Sequence, residues 1–256
     1  MFIRRNIPNF ITLMNLLSGC IAVVFAFNGM LAYAGWMVLL AAIFDLFDGL
    51  FARLLKVSSK IGADLDSLAD AISFGLAPGV ILYKMIWLNQ FKSDNGYFAQ
   101  DLFDRPVGLE IYILPFIAFW MVLAGVTRLA RFNNDERQST SFIGLPIPSS
   151  GLFFAFLPIV FLDVMAREDT LSQLTLSLLS DNMVLAILAI VIPTMMLMPI
   201  PMFSLKIKSK NLKDYIPQII FFLVGIVIFM LGRFLVVPLL ILLYIIYSLI
   251  SLITSK

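Results

Sequence analysis

The chain has 256 residues, of which 61% are apolar and 13% are charged, and its formal net charge is +2. Soluble domains carry about 25% charged residues, so the composition excludes an ordinary soluble protein, and the small net charge gives no indication of a nucleic-acid partner. With no histidine and one cysteine, the chain offers neither a His/Cys zinc site nor an internal disulfide, so a bound metal would need oxygen ligands.

Long apolar runs recur along the sequence, and each is long enough to cross a bilayer core of about 30 Å. They predict an all-α bundle of about eight transmembrane helices, which forms a single integral membrane domain over residues 1–256. We expect the catalytic core at about 6–202, and the two extra spans at about 216–253 have no predicted role beyond packing. The predicted spans are 8–28, 31–53, 64–88, 110–132, 147–165, 182–202, 216–231 and 234–253.

The basic residues are distributed unevenly between the two sides of these spans. With the N-terminus in the cytoplasm, most of the 18 Lys and Arg residues fall on the cytoplasmic side, as the positive-inside rule requires. The outer loops around Asp94–Glu110 and Arg167–Asp181 are net acidic. The sequence therefore predicts a protein of the inner or cytoplasmic membrane with both termini in the cytoplasm. The residues on that side are Arg4, Arg5, Arg53, Lys56, Lys60, Arg128, Arg131, Arg137, Lys206, Lys208, Lys210, Lys213 and Lys256.

Four aspartates lie near the cytoplasmic ends of the second and third predicted spans. Asp45 and Asp48 precede a short basic loop, and Asp66 and Asp70 follow it. Helical spacing puts the members of each pair on one face, and the short loop predicts that the two helices are antiparallel neighbours. Four carboxylates would then converge in one polar pocket at the cytoplasmic face. The same two faces carry Gly49 and Ala52 on the second span and Gly62 and Ser73 on the third.

This acidic cluster predicts a metal site. A carboxylate within a span costs about 2.5–3.5 kcal/mol near the bilayer centre, and neighbouring carboxylates repel one another. A divalent cation or a pair of cations removes both problems, and all-oxygen ligands favour Mg²⁺ or Mn²⁺. Two such ions about 3.5–4 Å apart form a clamp for in-line displacement at phosphorus, and Arg53 adds a planar donor suited to phosphate. The alternative is that the aspartates are merely solvated at helix ends.

The cluster resembles the signature of the CDP-alcohol phosphotransferase family. That signature reads Asp, two residues, Asp-Gly, two residues, Ala-Arg, eight residues, Gly, three residues, Asp, three residues, Asp. The resemblance implies that Asp45, Asp48 and Asp66 hold two divalent ions, and that Asp70 shares them and acts as general base. It also implies a pocket for the CDP group. The residues implied to line that pocket are Asp48, Gly49, Ala52, Arg53, Gly62 and Asp66.

The segment Ile7–Leu16 is similar to the N-terminal segment of the branch of this family that uses serine. Asn9, Thr12 and Asn15 could supply nucleotide contacts from the first span. The alternative is a simple helix entry, in which Pro8 lies in the first turn and Asn9 or Thr12 caps the helix.

Ala71–Pro78, which follows Asp70 directly, is also similar to that branch. We expect its Ser73 and Phe74 to lie in the pocket for the acceptor or the lipid phosphate. The alternative is a transmembrane helix that glycine and proline soften.

Thr127–Asn133 and Phe142–Pro148 are two further segments similar to that branch. Arg128 or Arg131 is expected to bind the carboxylate of serine or a lipid phosphate. Alternatively, both arginines snorkel to lipid phosphates and anchor the topology.

The resemblance implies that the chain transfers the phosphatidyl group of CDP-diacylglycerol to the hydroxyl of L-serine. Phosphatidylserine and CMP would be the products. The implied partners are these two substrates, membrane lipids and a second copy of the chain in a homodimer, with no nucleic acid. One alternative is a sister enzyme that uses glycerol 3-phosphate or an inositol compound. A remote alternative is a cation-coupled transporter, although transporters usually place such carboxylates near the midplane within inverted repeats.

Overall fold

A computed structural model describes residues 2–57, 59–95, 113–134, 144–200, 202, 225, 230 and 232–254. Within these ranges every regular element is helical. A π-helical segment, Ala71–Leu76, joins α3 to α4, and short 3₁₀ segments, Leu114–Phe119 and Arg233–Leu235, precede α5 and α9. The helices are α1 Phe2–Phe27, α2 Leu31–Leu55, α3 Lys60–Asp70, α4 Ala77–Asn95, α5 Trp120–Asn134, α6 Ile147–Met165, α7 Thr170–Ser180, α8 Asn182–Leu197 and α9 Val236–Thr254.

Five helical stretches in the described ranges are long and apolar enough to cross a membrane. A sixth is added if α7 and α8, which meet at a bend of 79°, form one span. The prediction of a helical integral membrane protein is thus confirmed, whereas the count of eight is not. The five stretches are Asn6–Phe27, Ile61–Gln90, Leu114–Asn134, Ile147–Met165 and Arg233–Leu252.

Several predicted features fall outside the described residues. They include the span at 216–231 apart from Gly225 and Met230, and the part of the outer loop from 96 to 110. The others are Arg137, Phe142, Ile143, Lys206, Lys208, Lys210, Lys213 and Lys256.

Helix α7 occupies a stretch that the sequence predicts as an outer loop. Asp169 caps it, because its carboxylate accepts hydrogen bonds from the backbone N–H and the hydroxyl of Ser172, at 3.1 and 2.8 Å. Ser172, Thr175 and Leu179 are buried and lie along one helical face. The acidic residues at both ends of this stretch lead to the prediction of a loop. The helix is stabilised by burial of this face against its neighbours, which the sequence alone does not indicate.

A tight connection brings the acidic ends of α2 and α3 to the same end of the bundle. Helix α2 is followed by Lys56, whose backbone is left-handed with φ of 52°. Helix α3 is capped by Ser59, whose hydroxyl accepts a hydrogen bond from the N–H of Gly62 at 3.0 Å. The two helices make few direct contacts, and α1 packs against both. The two helices are therefore neighbours that meet through their acidic side chains rather than along their length, and a gap lined by residues of all three helices lies between them.

The π-helical segment is held tightly between α1 and α6. A Cβ added at Gly19 of α1 would lie 2.8 Å from the Cα of Ser73. A Cβ added at Gly151 of α6 would lie 2.9 Å from the Cα of Phe74 and 3.0 Å from its carbonyl oxygen. Both approaches are to backbone atoms, so neither glycine can be enlarged without moving the segment that follows Asp70.

We expect Gly151→Ala to destabilise the protein by about 1–3 kcal/mol, because the added methyl group overpacks a backbone that cannot retreat. Activity should fall with it, since the displaced segment directly follows Asp70. Thermal unfolding of the detergent-purified protein measures the effect. Gly49→Ala is the matched control for stability: its added Cβ meets no atom within 4 Å, and alanine is favoured over glycine in a helix. Equal melting temperatures for Gly151→Ala and the wild type would contradict the packing described here.

Candidate active site

Three carboxylates from two helices form one compact group. Asp45 and Asp48, one turn apart on α2, face Asp66 of α3, and one oxygen from each lies within 4.8 Å of the other two. Asp48 is buried, and the other two are partly buried. Such carboxylates repel one another unless a cation lies between them. The donor set contains oxygen alone, which fits Mg²⁺ or Mn²⁺, so the triad could hold a metal ion.

A cavity of about 220 Å³ adjoins this triad in the gap between α2 and α3. Seven of the nine residues predicted to contact the CDP group line it, and Asn15 and Arg53 do not. Arg53 is exposed and donates a hydrogen bond from Nε to the carbonyl of Gly49 at 3.0 Å, along its own helix. The cavity is lined by Pro8, Asn9, Thr12, Asp48, Gly49, Ala52, Val57, Ser59, Gly62, Ala63 and Asp66.

Helix α1 forms the third wall of the cavity. The Thr12 hydroxyl donates a hydrogen bond to Oδ2 of Asp48 at 2.6 Å, so α1 orients one carboxylate of the triad. A Cβ added at Gly62 would lie 3.0 Å from Oδ1 of Asn9, so the glycine leaves room for that amide. The side chains that the sequence assigns to the first span thus lie beside those of the second and third.

Asp70 lies one turn beyond Asp66 on α3 and is not a member of the triad. It is 8% exposed, and its Oδ1 accepts a hydrogen bond from Nδ2 of Asn15 at 3.3 Å. The sequence predicts four carboxylates in one pocket; the structure brings one oxygen of each of three together, and Asp70 is buried within electrostatic range of all three. The structure also places Asn15, expected at the nucleotide, against Asp70. That contact depends on how closely α1 crosses α3, which no spacing in the sequence indicates.

Ser73 and Phe74 of the π-helical segment, which are predicted to lie in the acceptor pocket, have different surroundings. Ser73 is fully buried, and its hydroxyl donates to the carbonyl of Asn15 at 3.0 Å. Phe74 is fully buried in the hydrophobic core. Ser73 is therefore next to Asp70 and α1, whereas Phe74 packs away from the cavity.

The two predicted arginines of α5 differ in burial. Arg128 is 7% exposed and lies within electrostatic range of Asp70. Among the described residues its Nε has no hydrogen-bond partner, and its guanidinium lies 5.8 Å from the ring centroid of Phe132. Arg131 is exposed and donates to the carbonyl of Leu197 at 3.3 Å. Only Arg128 is thus brought towards the carboxylates.

Comparisons with known proteins agree with the geometry. The family model described as CDP-alcohol phosphatidyltransferase matches residues 5–197. A protein of Helicobacter pylori (strain ATCC 700392 / 26695) named CDP-diacylglycerol–serine O-phosphatidyltransferase is 35% identical over 147 residues, which are 57% of this chain and 54% of that protein. A protein of Bacillus subtilis with the same name is 29% identical over 168 residues, covering 64% of this chain and 81% of the relative. A protein of Saccharomyces cerevisiae with the same name is 35% identical over 161 residues, which are 57% of this chain and 50% of that protein. The chain thus spans about half the length of the Helicobacter and Saccharomyces relatives.

Proposed function

Because the chain belongs to the CDP-alcohol phosphatidyltransferase family, we propose that it transfers the phosphatidyl group of CDP-diacylglycerol to L-serine. The products are phosphatidylserine and CMP. The observation that carries the proposal is the carboxylate triad at the wall of a cavity that Asn9, Gly49 and Gly62 also line. Serine as the acceptor is supported by the names of the relatives in Helicobacter, Bacillus and Saccharomyces.

The cavity is assigned to the CDP group. Asp45, Asp48 and Asp66 would hold one divalent ion or a pair, Mg²⁺ or Mn²⁺, and such ions supply charge neutralisation on the diphosphate when bound. Thr12 fixes the orientation of Asp48 through its 2.6 Å hydrogen bond. The nucleotide binds beside Asn9, where the small residues Gly49, Ala52 and Gly62 leave room for it. These residues bind and orient the donor lipid, whose acyl chains remain in the membrane. Arg53 would reach this group only by leaving its bond to the carbonyl of Gly49.

Asp70 is assigned the role of the base that receives the proton of the acceptor hydroxyl. The serine hydroxyl oxygen forms a bond to the phosphatidyl phosphorus, the bond from that phosphorus to the CMP oxygen breaks, and the hydroxyl proton passes to the Asp70 carboxylate. In this assignment the acceptor lies next to Asp70, on the side of the phosphorus opposite the nucleotide, as in-line displacement requires. A carboxylate is a weak base near neutral pH, so orientation of the hydroxyl matters more than proton affinity.

Arg128 is assigned to the carboxylate of serine. It is the buried cation nearest this part of the site among the described residues, and its Nε is available as a donor. A guanidinium suits a planar carboxylate. Ser73 donates to the carbonyl of Asn15, which contacts Asp70, and is assigned to the same region. Phe74 lies in the core and Arg131 donates to the carbonyl of Leu197, so neither is assigned a contact with serine.

The same proposal includes the organisation of the protein in the membrane. We infer eight spans, both termini in the cytoplasm and an active site on the cytoplasmic face of the inner or cytoplasmic membrane, supported by the distribution of Lys and Arg. The catalytic core is assigned to about 6–202 of a single domain, consistent with the family match to residues 5–197. A homodimer completes this proposal.

The proposal is tested with purified protein in detergent, supplied with CDP-diacylglycerol, Mn²⁺ or Mg²⁺ and radiolabelled L-serine. We expect label in phosphatidylserine and one CMP released for each molecule formed. Reactions without CDP-diacylglycerol are the control. Consumption of glycerol 3-phosphate with serine left untouched would show that the acceptor is wrong. Cation-dependent uptake by the same protein reconstituted in sealed vesicles, without CMP release, would favour the transporter.

A further inference from the structure

Asn15 of α1 forms hydrogen bonds to Asp70, at the end of α3, and to Ser73, in the π-helical segment that follows. Its side chain is fully buried, and its Nδ2 donates to Oδ1 of Asp70 at 3.3 Å. Its carbonyl oxygen accepts the hydrogen bond from the Ser73 hydroxyl at 3.0 Å. One residue of α1 is therefore bonded to the last residue of α3 and to the π segment, so the carboxylate of Asp70 cannot turn freely relative to α1.

The amide of Asn15 bonds to Asp70 through its nitrogen and leaves its oxygen without a hydrogen bond. Its Oδ1 is buried and has no hydrogen-bond partner among the described residues. A buried oxygen without a partner opposes folding, and an apolar residue of similar shape would avoid that penalty. The amide is thus better explained by its contact with Asp70 than by packing.

Only one oxygen of Asp70 is held in this way. Within the described part of the chain, the hydrogen bond from Asn15 to Oδ1 is the one that reaches this carboxylate. Rotation of the carboxylate would break it. The bond therefore fixes the direction of Oδ2.

Close packing fixes the distance between α1 and Asp70. Gly19 lies one turn beyond Asn15, and a Cβ there would lie 2.8 Å from the Cα of Ser73. The two backbones meet at this point, so the short amide of Asn15 reaches Asp70 without an intervening side chain. The contact is a property of the fold rather than of a flexible side chain.

We propose that Asn15 is a positioning residue that aims Oδ2 of Asp70 at the hydroxyl of the acceptor. The inference rests on the proposed function, since it requires that Asp70 receives the acceptor's proton. Asn15 itself lies outside the cavity assigned to the CDP group, so its loss affects the chemical step rather than binding of the donor lipid.

Asn15→Leu tests the proposal, with kcat and KM for CDP-diacylglycerol measured by CMP release. We expect kcat to fall about ten- to a hundredfold, as for loss of a hydrogen bond to a charged group, while KM stays within about twofold of the wild type. Ser18→Ala is the matched control: Ser18 is 4% exposed on the same helix and donates to the carbonyl of Met14 at 2.9 Å. It should leave both constants unchanged.

A kcat for Asn15→Leu within about twofold of the wild type would overturn the positioning role, as would a rise in KM that accounts for the whole loss. If Asn15→Leu does not fold, Asn15→Ser replaces it, because the shorter hydroxyl side chain stays polar but cannot reach Asp70. The wild type is assayed with serine and with glycerol 3-phosphate. If the wild type uses glycerol 3-phosphate but not serine, the proposed acceptor is wrong. The kcat of Asn15→Leu is then compared with that of the wild type in reactions with glycerol 3-phosphate. Turnover of neither contradicts both proposals.

Discussion

Asp70→Asn should reduce kcat about 100- to 10,000-fold, the usual contribution of a positioned base, while CDP-diacylglycerol still binds. An amide cannot take the acceptor's proton, but its oxygen can still accept the hydrogen bond from Asn15. Asp70 does not line the cavity assigned to the CDP group, so the donor site should survive. Turnover of labelled serine gives kcat, and equilibrium binding of labelled CDP-diacylglycerol gives the affinity.

Asp64→Asn is the matched control for this substitution. Asp64 is an exposed carboxylate on the same helix and belongs to neither the triad nor the cavity lining. Its variant should behave as the wild type in both measurements. Full turnover by Asp70→Asn would remove Asp70 from the role of base, and a parallel loss of binding would place it in the donor site instead.

The acidic cluster could be predicted from the sequence because helical periodicity is a local property. Asp45 and Asp48 share a face wherever α2 lies, and the short loop returns Asp66 to the same end of the bundle. The resemblance to the family, which rests on these spacings, is confirmed by the match over residues 5–197. The outline of a helical membrane protein follows as directly from the long apolar runs.

Contacts that depend on how helices cross could not be predicted in this way. The bond between Asn15 and Asp70 requires the close approach of α1 at Gly19. The π-helical turn shifts the register after Asp70, so Ser73 faces α1 while the adjacent Phe74 enters the core. Arg53 has a long side chain that either the cavity or its own helix can accommodate, and the spacing of the signature does not choose between them.

Replacing both Asp48 and Asp66 with Asn should abolish turnover, because two of the three carboxylates that could hold a divalent ion become neutral amides. In the absence of metal, the double variant should be no less stable than the wild type, since repulsion within the triad is relieved. EDTA should likewise stop the wild-type reaction, and added Mn²⁺ or Mg²⁺ should restore it. Turnover of serine and thermal unfolding in EDTA separate the loss of metal from the loss of fold.

The most direct measurement is a titration of the metal-free purified protein with Mn²⁺, in which electron paramagnetic resonance reports the free ion. We predict saturable binding by the wild type and by Asp64→Asn, and loss of that binding in the double variant of Asp48 and Asp66. If the double variant bound Mn²⁺ as tightly as the wild type, aspartates of α2 and α3 would not form the metal site. The assignment of the neighbouring cavity to a nucleotide diphosphate would then lose its basis.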